Sequence, residues 1–97
     1  MRQKSVNGWK NRETWAVALW IDNTEAEQTH WRERAQRKLG GHFYKEGAIA
    51  SLAENLRDTF EEHSPISENN IYDDLLNGAL EAVDWYEIAT HLMEGLK

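Results

Sequence analysis

Cysteine is absent from this chain of 97 residues, and proline occurs only once. Without cysteine the protein has no disulfide framework, no thiolate zinc site and no cysteine nucleophile. No apolar run approaches the ~20 residues that a membrane span needs, and the polar opening MRQKSVNGWK lacks the apolar core of a signal peptide. We therefore expect a cytoplasmic protein with no membrane partner.

The length and composition predict one small globular domain. Two independent cores would each be too small to fold, and 40% hydrophobic with 29% charged residues is typical of a globular chain. We expect an all-α fold of four to five helices. Residues 1–10 carry no periodic apolar pattern and are predicted to be a flexible arm that docks through Trp9, and residues 11–97 are predicted to form a single helical domain.

The net charge of −6 is unevenly distributed along the chain. Up to Lys45, nine Lys and Arg against five acids give +4; from Glu46 onward, Arg57 and Lys97 against twelve acids give −10. Such a chain can steer an oppositely charged partner, bind itself head to tail, or neutralise itself within one folded domain. The sequence leaves these three interpretations open, and with them the oligomeric state.

The first helix is predicted from residue 12 to residue 21. Asn11 is a suitable N-cap, and Glu13 complements the positive end of the helix dipole. The run Trp15-Ala-Val-Ala-Leu-Trp-Ile21 is apolar on all sides, which favours a helix buried on more than one face, although a buried strand has the same local pattern. We expect Trp15, Trp20 and Trp31 in the core.

A second helix is predicted from about residue 25 to residue 39. Thr24 and Glu27 have the spacing of a capping box, and Gly40-Gly41 ends the helix. Its apolar stripe is thin and consists of Trp31, Ala35 and Leu39. Basic residues near its end complement the helix dipole, so the basic cluster has a structural explanation.

Three further helices complete the prediction. Apolar residues at intervals of three and four place a helix over residues 44 to 62, which Pro65 follows. Ser67 is predicted to cap the next helix, whose stripe comprises Ile71, Leu75, Leu76, Ala79, Leu80 and Val83. Gly78 within it predicts either a close approach of a neighbouring helix or a bend. Asp84 is predicted to cap a last helix that runs to the C-terminus.

Metal chemistry is the least favoured hypothesis. Glu27 with His30 and Glu87 with His91 have helical spacings found in carboxylate-histidine metal sites, but two such pairs lack the further carboxylates that a di-metal core needs. No nucleophile elbow, phosphate loop or zinc-protease motif occurs. We predict no metal, no cofactor and no catalytic residue, and a metal-dependent enzyme remains only a third hypothesis.

Nucleic-acid binding is the alternative function. The basic residues that would carry it lie in the first half, with Trp9 nearby for stacking. They are Lys4, Lys10, Arg12, Arg34, Arg37 and Lys38.

The segment from Asn7 to Asn23 includes Trp15 and Trp20, two tryptophans at a fixed spacing. It reads Asn-Gly-Trp-Lys-Asn-Arg-Glu-Thr-Trp-Ala-Val-Ala-Leu-Trp-Ile-Asp-Asn. It resembles the opening of a family of small uncharacterised proteins of bacteriophages, plasmids and bacterial genomes, roughly Asn-x-Glu-Thr-Trp-x-Val-x-Leu-Trp-Ile-x-Asn. A weaker similarity covers residues 83 to 89. The resemblance implies a mobile-element origin and a binding role, and it brings no activity with it.

The leading hypothesis is a non-catalytic protein-binding or regulatory module that acts on a host or phage macromolecule. A protein is the favoured partner. The helix start offers a polar-aromatic recognition patch, where free backbone N–H groups can also hold an anion. The patch consists of Trp9, Lys10, Asn11, Arg12, Glu13 and Thr14.

Overall fold

The computed structural model describes residues 6–63 and 70–96 and contains five α-helices within these ranges. They are α1 (Arg12–Asn23), α2 (Glu25–Gly41), α3 (Lys45–Glu62), α4 (Ile71–Ala82) and α5 (Trp85–Glu94). The all-α prediction is confirmed: the described ranges contain no strand, only an isolated bridge between Val6 and Trp9. No helix there has both the length and the apolar character needed to cross a membrane.

The ambiguous run of residues 15 to 21 is helical, as favoured. The Asn11 side chain caps α1 by accepting a hydrogen bond from the Thr14 N–H at 2.8 Å. The expectation of burial on more than one face is wrong, because the buried residues of α1 are Thr14, Ala18 and Ile21, which share one face. Trp20 lies on another side of the helix and is 59% exposed.

The helix caps are partly as predicted. Asp84 caps α5 by accepting from the Glu87 N–H at 3.0 Å. Thr24 precedes α2 at the predicted position, but its side chain makes no capping hydrogen bond, so the predicted capping box does not form. Ser67 lies outside the described residues, and the observed cap of α4 is Asn70, which accepts from the Asp73 N–H at 2.9 Å.

The core lies between α2, α3 and α5, with one face of α1 packed against it. The predicted apolar face of α3 supplies three buried residues, Ile49, Leu52 and Leu56. Helix α5 is buried along most of its length because helices pack against several of its sides. The buried apolar residues are Ala18, Ile21, Trp31, Ala35, Ala48, Ile49, Leu52, Leu56, Val83, Trp85, Ile88, Ala89, Leu92 and Met93.

Three aromatic rings from three helices form a column inside the protein. Trp31 of α2 stacks on Phe60 of α3 with ring centroids 6.3 Å apart, and Phe60 stacks on Trp85 of α5 at 5.6 Å. The buried Trp31 indole N–H donates to the Glu27 carboxylate at 3.1 Å, so its polar group is satisfied. The column therefore joins the three helices through large apolar surfaces.

The fourth helix departs most from the sequence-based prediction. The helix carries the predicted apolar stripe, yet no residue of α4 is buried, and Val83 of that stripe is buried just beyond the helix end. Ile71 and Leu75 are 66% and 63% exposed. Gly78 has open space around it, so it does not mark a close approach of another helix.

The contrast between α3 and α4 predicts the effect of matched substitutions. Leu52→Ala in the core of α3 removes buried methyl groups and leaves a cavity, so it should lower the free energy of unfolding by about 2–5 kcal/mol. Leu75→Ala on exposed α4 should change it by less than about 0.5 kcal/mol. Urea unfolding followed by circular dichroism measures both, and a large loss for Leu75→Ala would contradict the arrangement of α4.

Candidate binding surfaces

Thr14 is a buried polar residue of the predicted recognition patch, and it forms hydrogen bonds to two other parts of the chain. It is fully buried, and its hydroxyl accepts from the Asp84 N–H at 2.8 Å. The same hydroxyl donates to the Asn11 side-chain oxygen at 2.6 Å. One hydroxyl group therefore joins the start of α1 to the start of α5, seventy residues later.

Asn11 uses both ends of its side-chain amide. Its oxygen accepts from the backbone N–H and the hydroxyl of Thr14, and its amide nitrogen donates to the Ala82 carbonyl at 2.7 Å. Ala82 is the last residue of α4. The cap of α1 therefore also occupies a carbonyl at the C-terminal end of α4, which has no partner within its own helix there.

The residues just before Asn11 continue this contact along α5. The Lys10 N–H donates to the Glu87 carboxylate at 3.1 Å, and the Lys10 ammonium lies 3.9 Å from Asp84. The Trp9 ring meets the His91 ring edge to face at a centroid distance of 5.1 Å, and Nε2 of His91 lies 3.4 Å from the carboxylate of Asp22. Trp9 is half-buried against the core, as predicted for a docking residue.

A tight turn leads into this contact. Val6 and Trp9 exchange two backbone hydrogen bonds of 3.1 and 2.7 Å, and Asn7 and Gly8 between them have φ of 47° and 90°. These positive angles suit the Asn-Gly pair, which is a recognised sign of such turns. That pair was the available clue to structure within the predicted arm, whose first five residues lie outside the described ranges.

The patch is thus divided between internal contacts and solvent. Trp9, Lys10, Asn11 and Thr14 contact α5 or the end of α4, whereas Arg12 is exposed and Glu13 half-exposed in the first turn of α1. The Thr14 N–H that an anion would use is bonded to Asn11 instead. A recognition role for these six residues stays a prediction, and the contacts give Trp9, Lys10, Asn11 and Thr14 a structural role.

The predicted nucleic-acid residues are also in different situations. Arg34 donates to the Asn55 side chain at 2.8 Å and so joins α2 to α3. Arg37 is exposed, Lys38 is half-buried, and Lys4 lies outside the described residues. With Lys10 and Arg12 at the start of α1, nucleic-acid binding through this set stays a prediction.

The pairs proposed for metal binding make other contacts. Glu27 accepts from the Trp31 indole, while the His30 ring lies edge to face on Trp31 at 4.7 Å. Glu87 and His91 face the N-terminal segment, as described above. Within residues 6–63 and 70–96, no group of three or more His, Asp or Glu side chains is arranged to hold a metal ion.

An exposed apolar surface lies on α4, and we call it the α4 face. It consists of Ile71, Tyr72 and Leu75, which are 66%, 67% and 63% exposed. The helical spacings of three and four place Leu75 beside the other two residues. Acidic residues accompany this surface, because α4 contains Asp73, Asp74 and Glu81 and has no Lys or Arg.

A second exposed apolar surface lies in the connection between α2 and α3, and we call it the aromatic tip. Phe43 is 92% exposed and Tyr44 is 68% exposed, with their rings edge to face at 4.9 Å. His42 holds the connection in place: its Nδ1 bonds to the Lys38 carbonyl at 2.9 Å, and its ring lies close to Gly47. This surface was not predicted from the sequence, although the adjacent Phe43 and Tyr44 shortly after Gly40-Gly41 were available as a clue.

Comparison with protein-family models places the chain in a family of unknown function, DUF7249, whose model matches residues 2–94. The match covers nearly the whole chain, so the protein belongs to this family. Comparison with curated proteins and with solved structures finds no match.

The buried Thr14 hydroxyl predicts a specific stability effect. Thr14→Val keeps the shape but leaves the Asp84 N–H without its partner, so the free energy of unfolding should fall by about 1–3 kcal/mol. Thr14→Ser keeps the hydroxyl and should lose less. Thr29→Val, at an exposed site on α2, is the control and should change stability by less than about 0.5 kcal/mol. Urea titrations of the four proteins measure this, and equal stability of Thr14→Val and wild type would contradict the assigned role.

Proposed function

We propose that this member of DUF7249 is a non-catalytic protein-binding module whose docking surface is the α4 face. The observation that carries the proposal is the exposure of Ile71, Tyr72 and Leu75 on a helix that has no buried residue. Single exposed apolar residues are ordinary, but three large ones side by side are typical of an interaction site. We propose a phage or plasmid origin as well, which the resemblance of residues 11 to 23 supports.

The arrangement of α4 supports a helix-in-groove or face-to-face mode of binding. Its apolar side chains repeat at helical spacing. Leu80 near its C-terminal end packs against the core, whereas Ile71, Tyr72 and Leu75 near its start remain exposed. A partner that covers them would remove apolar surface from water, at roughly 25 cal/mol for each Å². Tyr72 contributes a large ring with a polar end, a residue type enriched among interface hot spots.

The charge around the α4 face indicates the kind of partner. Asp73 and Asp74 lie in its first turns, and from Glu46 to the C-terminus the chain carries twelve acids against two bases. Electrostatic complementarity favours a partner segment that carries Lys or Arg beside apolar side chains. We therefore propose that the partner is a protein with a basic amphipathic segment.

A pair of model peptides tests this proposal. One is an 18-residue amphipathic helix of Leu and Lys, and the other has the same pattern with Glu in place of Lys. The full chain should bind the Leu/Lys peptide and not the Leu/Glu peptide, with affinity that falls as salt rises. Fluorescence anisotropy of labelled peptide measures both, and equal binding of the two peptides would refute the charge argument.

Variants of equal charge localise the binding. Tyr72→Ser with Leu75→Ser should weaken Leu/Lys binding about tenfold or more, because it removes two apolar contacts. Tyr86→Ser removes a 46% exposed tyrosine of α5 and should leave binding unchanged. If the α5 variant loses as much affinity as the α4 variant, the docking surface is not on α4.

A further inference from the structure

Two of the exposed apolar surfaces among the described residues, the aromatic tip and the α4 face, differ in the charge of the residues around them. The aromatic tip lies within residues 37 to 46, which contain Arg37, Lys38 and Lys45 against one acid, Glu46. The α4 face lies in a helix with three acids and no base. Each surface therefore has the apolar character and the charge that would complement the other.

The two surfaces lie at separate places in one molecule. The tip connects α2 to the start of α3, whereas the connection to α4 leaves from the opposite end of α3. An α-helix of 18 residues spans about 27 Å. Among the described residues, α2 makes no backbone contact with α4. The exposure of both surfaces shows that neither covers the other within the monomer.

We propose that the aromatic tip of one copy docks on the α4 face of a second copy, so that the chain associates with itself head to tail. This inference rests on the proposed function, since it takes the α4 face to be a protein-docking surface and names the occupant. The rings of Phe43 and Tyr44 pack against Ile71, Tyr72 and Leu75, while Lys45 lies near Asp74. The interface is heterologous, because each copy contributes a different surface.

The association should be weak because the two surfaces are small. Each aromatic side chain buries at most about 150–250 Å², so the contact falls among the small interfaces below about 1,200 Å² that are typical of weak complexes. The association should therefore appear at high protein concentration and weaken with salt, since charge pairs at its rim are screened.

Complementary variants test the arrangement by sedimentation equilibrium of the full chain, from about 10 µM to about 1 mM, a range chosen for weak complexes. The tip variant is Phe43→Ser with Tyr44→Ser, and the face variant is Tyr72→Ser with Leu75→Ser. The average mass of the wild type should rise with concentration above the 11.3 kDa of the monomer, and each variant alone should stay there. An equimolar mixture of the two variants should regain association, because the tip variant keeps its face and the face variant keeps its tip.

Charge reversal and a control complete the experiment. Lys45→Glu and Asp74→Lys should each reduce association alone and restore it when mixed with one another. Tyr86→Ser should associate like the wild type. A wild type that stays monomeric at about 1 mM, well into the range of weak complexes, overturns the inference. Association of the tip variant alone, or no association in the mixture, also overturns it. If the wild type stays monomeric while the Leu/Lys peptide still binds the α4 face, this inference fails and the proposed function stands.

Discussion

The contact of Thr14 with Asp84 is the interaction on which the arrangement of the two chain ends depends. A hydroxyl in the first turn of α1 accepts from the backbone of the residue that caps α5, and the same hydroxyl donates to the cap of α1. Because both caps share one buried hydrogen-bonded group, the starts of the two helices are held together. The described residues contain no buried side-chain polar atom without a partner, so this network is complete.

The same contacts explain how α4 stays in place without a buried side chain. Its C-terminal end is held by Asn11 through the Ala82 carbonyl and by the burial of Val83 just beyond it. Within the helix, Leu80 packs against the core and is partly buried, whereas Ile71, Tyr72 and Leu75 of the same stripe are left at the surface. Because Asn11 and Thr14 are engaged in contacts within the protein, α4 is a better candidate for a binding surface than the start of α1.

The basic first part and the acidic second part of the chain contribute different exposed apolar surfaces in the fold. The basic first part includes the connection that carries Phe43 and Tyr44, and the acidic second part includes α4 with Asp73 and Asp74. Both surfaces combine exposed apolar side chains with a surplus of charge of one sign. Surfaces of this kind favour association with partners of opposite charge and disfavour association with copies of themselves face to face.

The sequence by itself determined that the fold is all-α, with four to five helices, since apolar periodicity and the caps at Asn11 and Asp84 are local features. It also determined which residues of α3 are buried, because that helix has a single apolar face, and this face packs into the core. Only the tertiary structure decided which amphipathic helix keeps exposed apolar residues, because α3 and α4 carry the same kind of pattern and burial depends on what packs beside them. The prediction that Trp20 lies in the core was wrong for the same reason. Neighbouring helices cover only the face of α1 that carries Thr14, so Trp20 on another side is exposed to solvent.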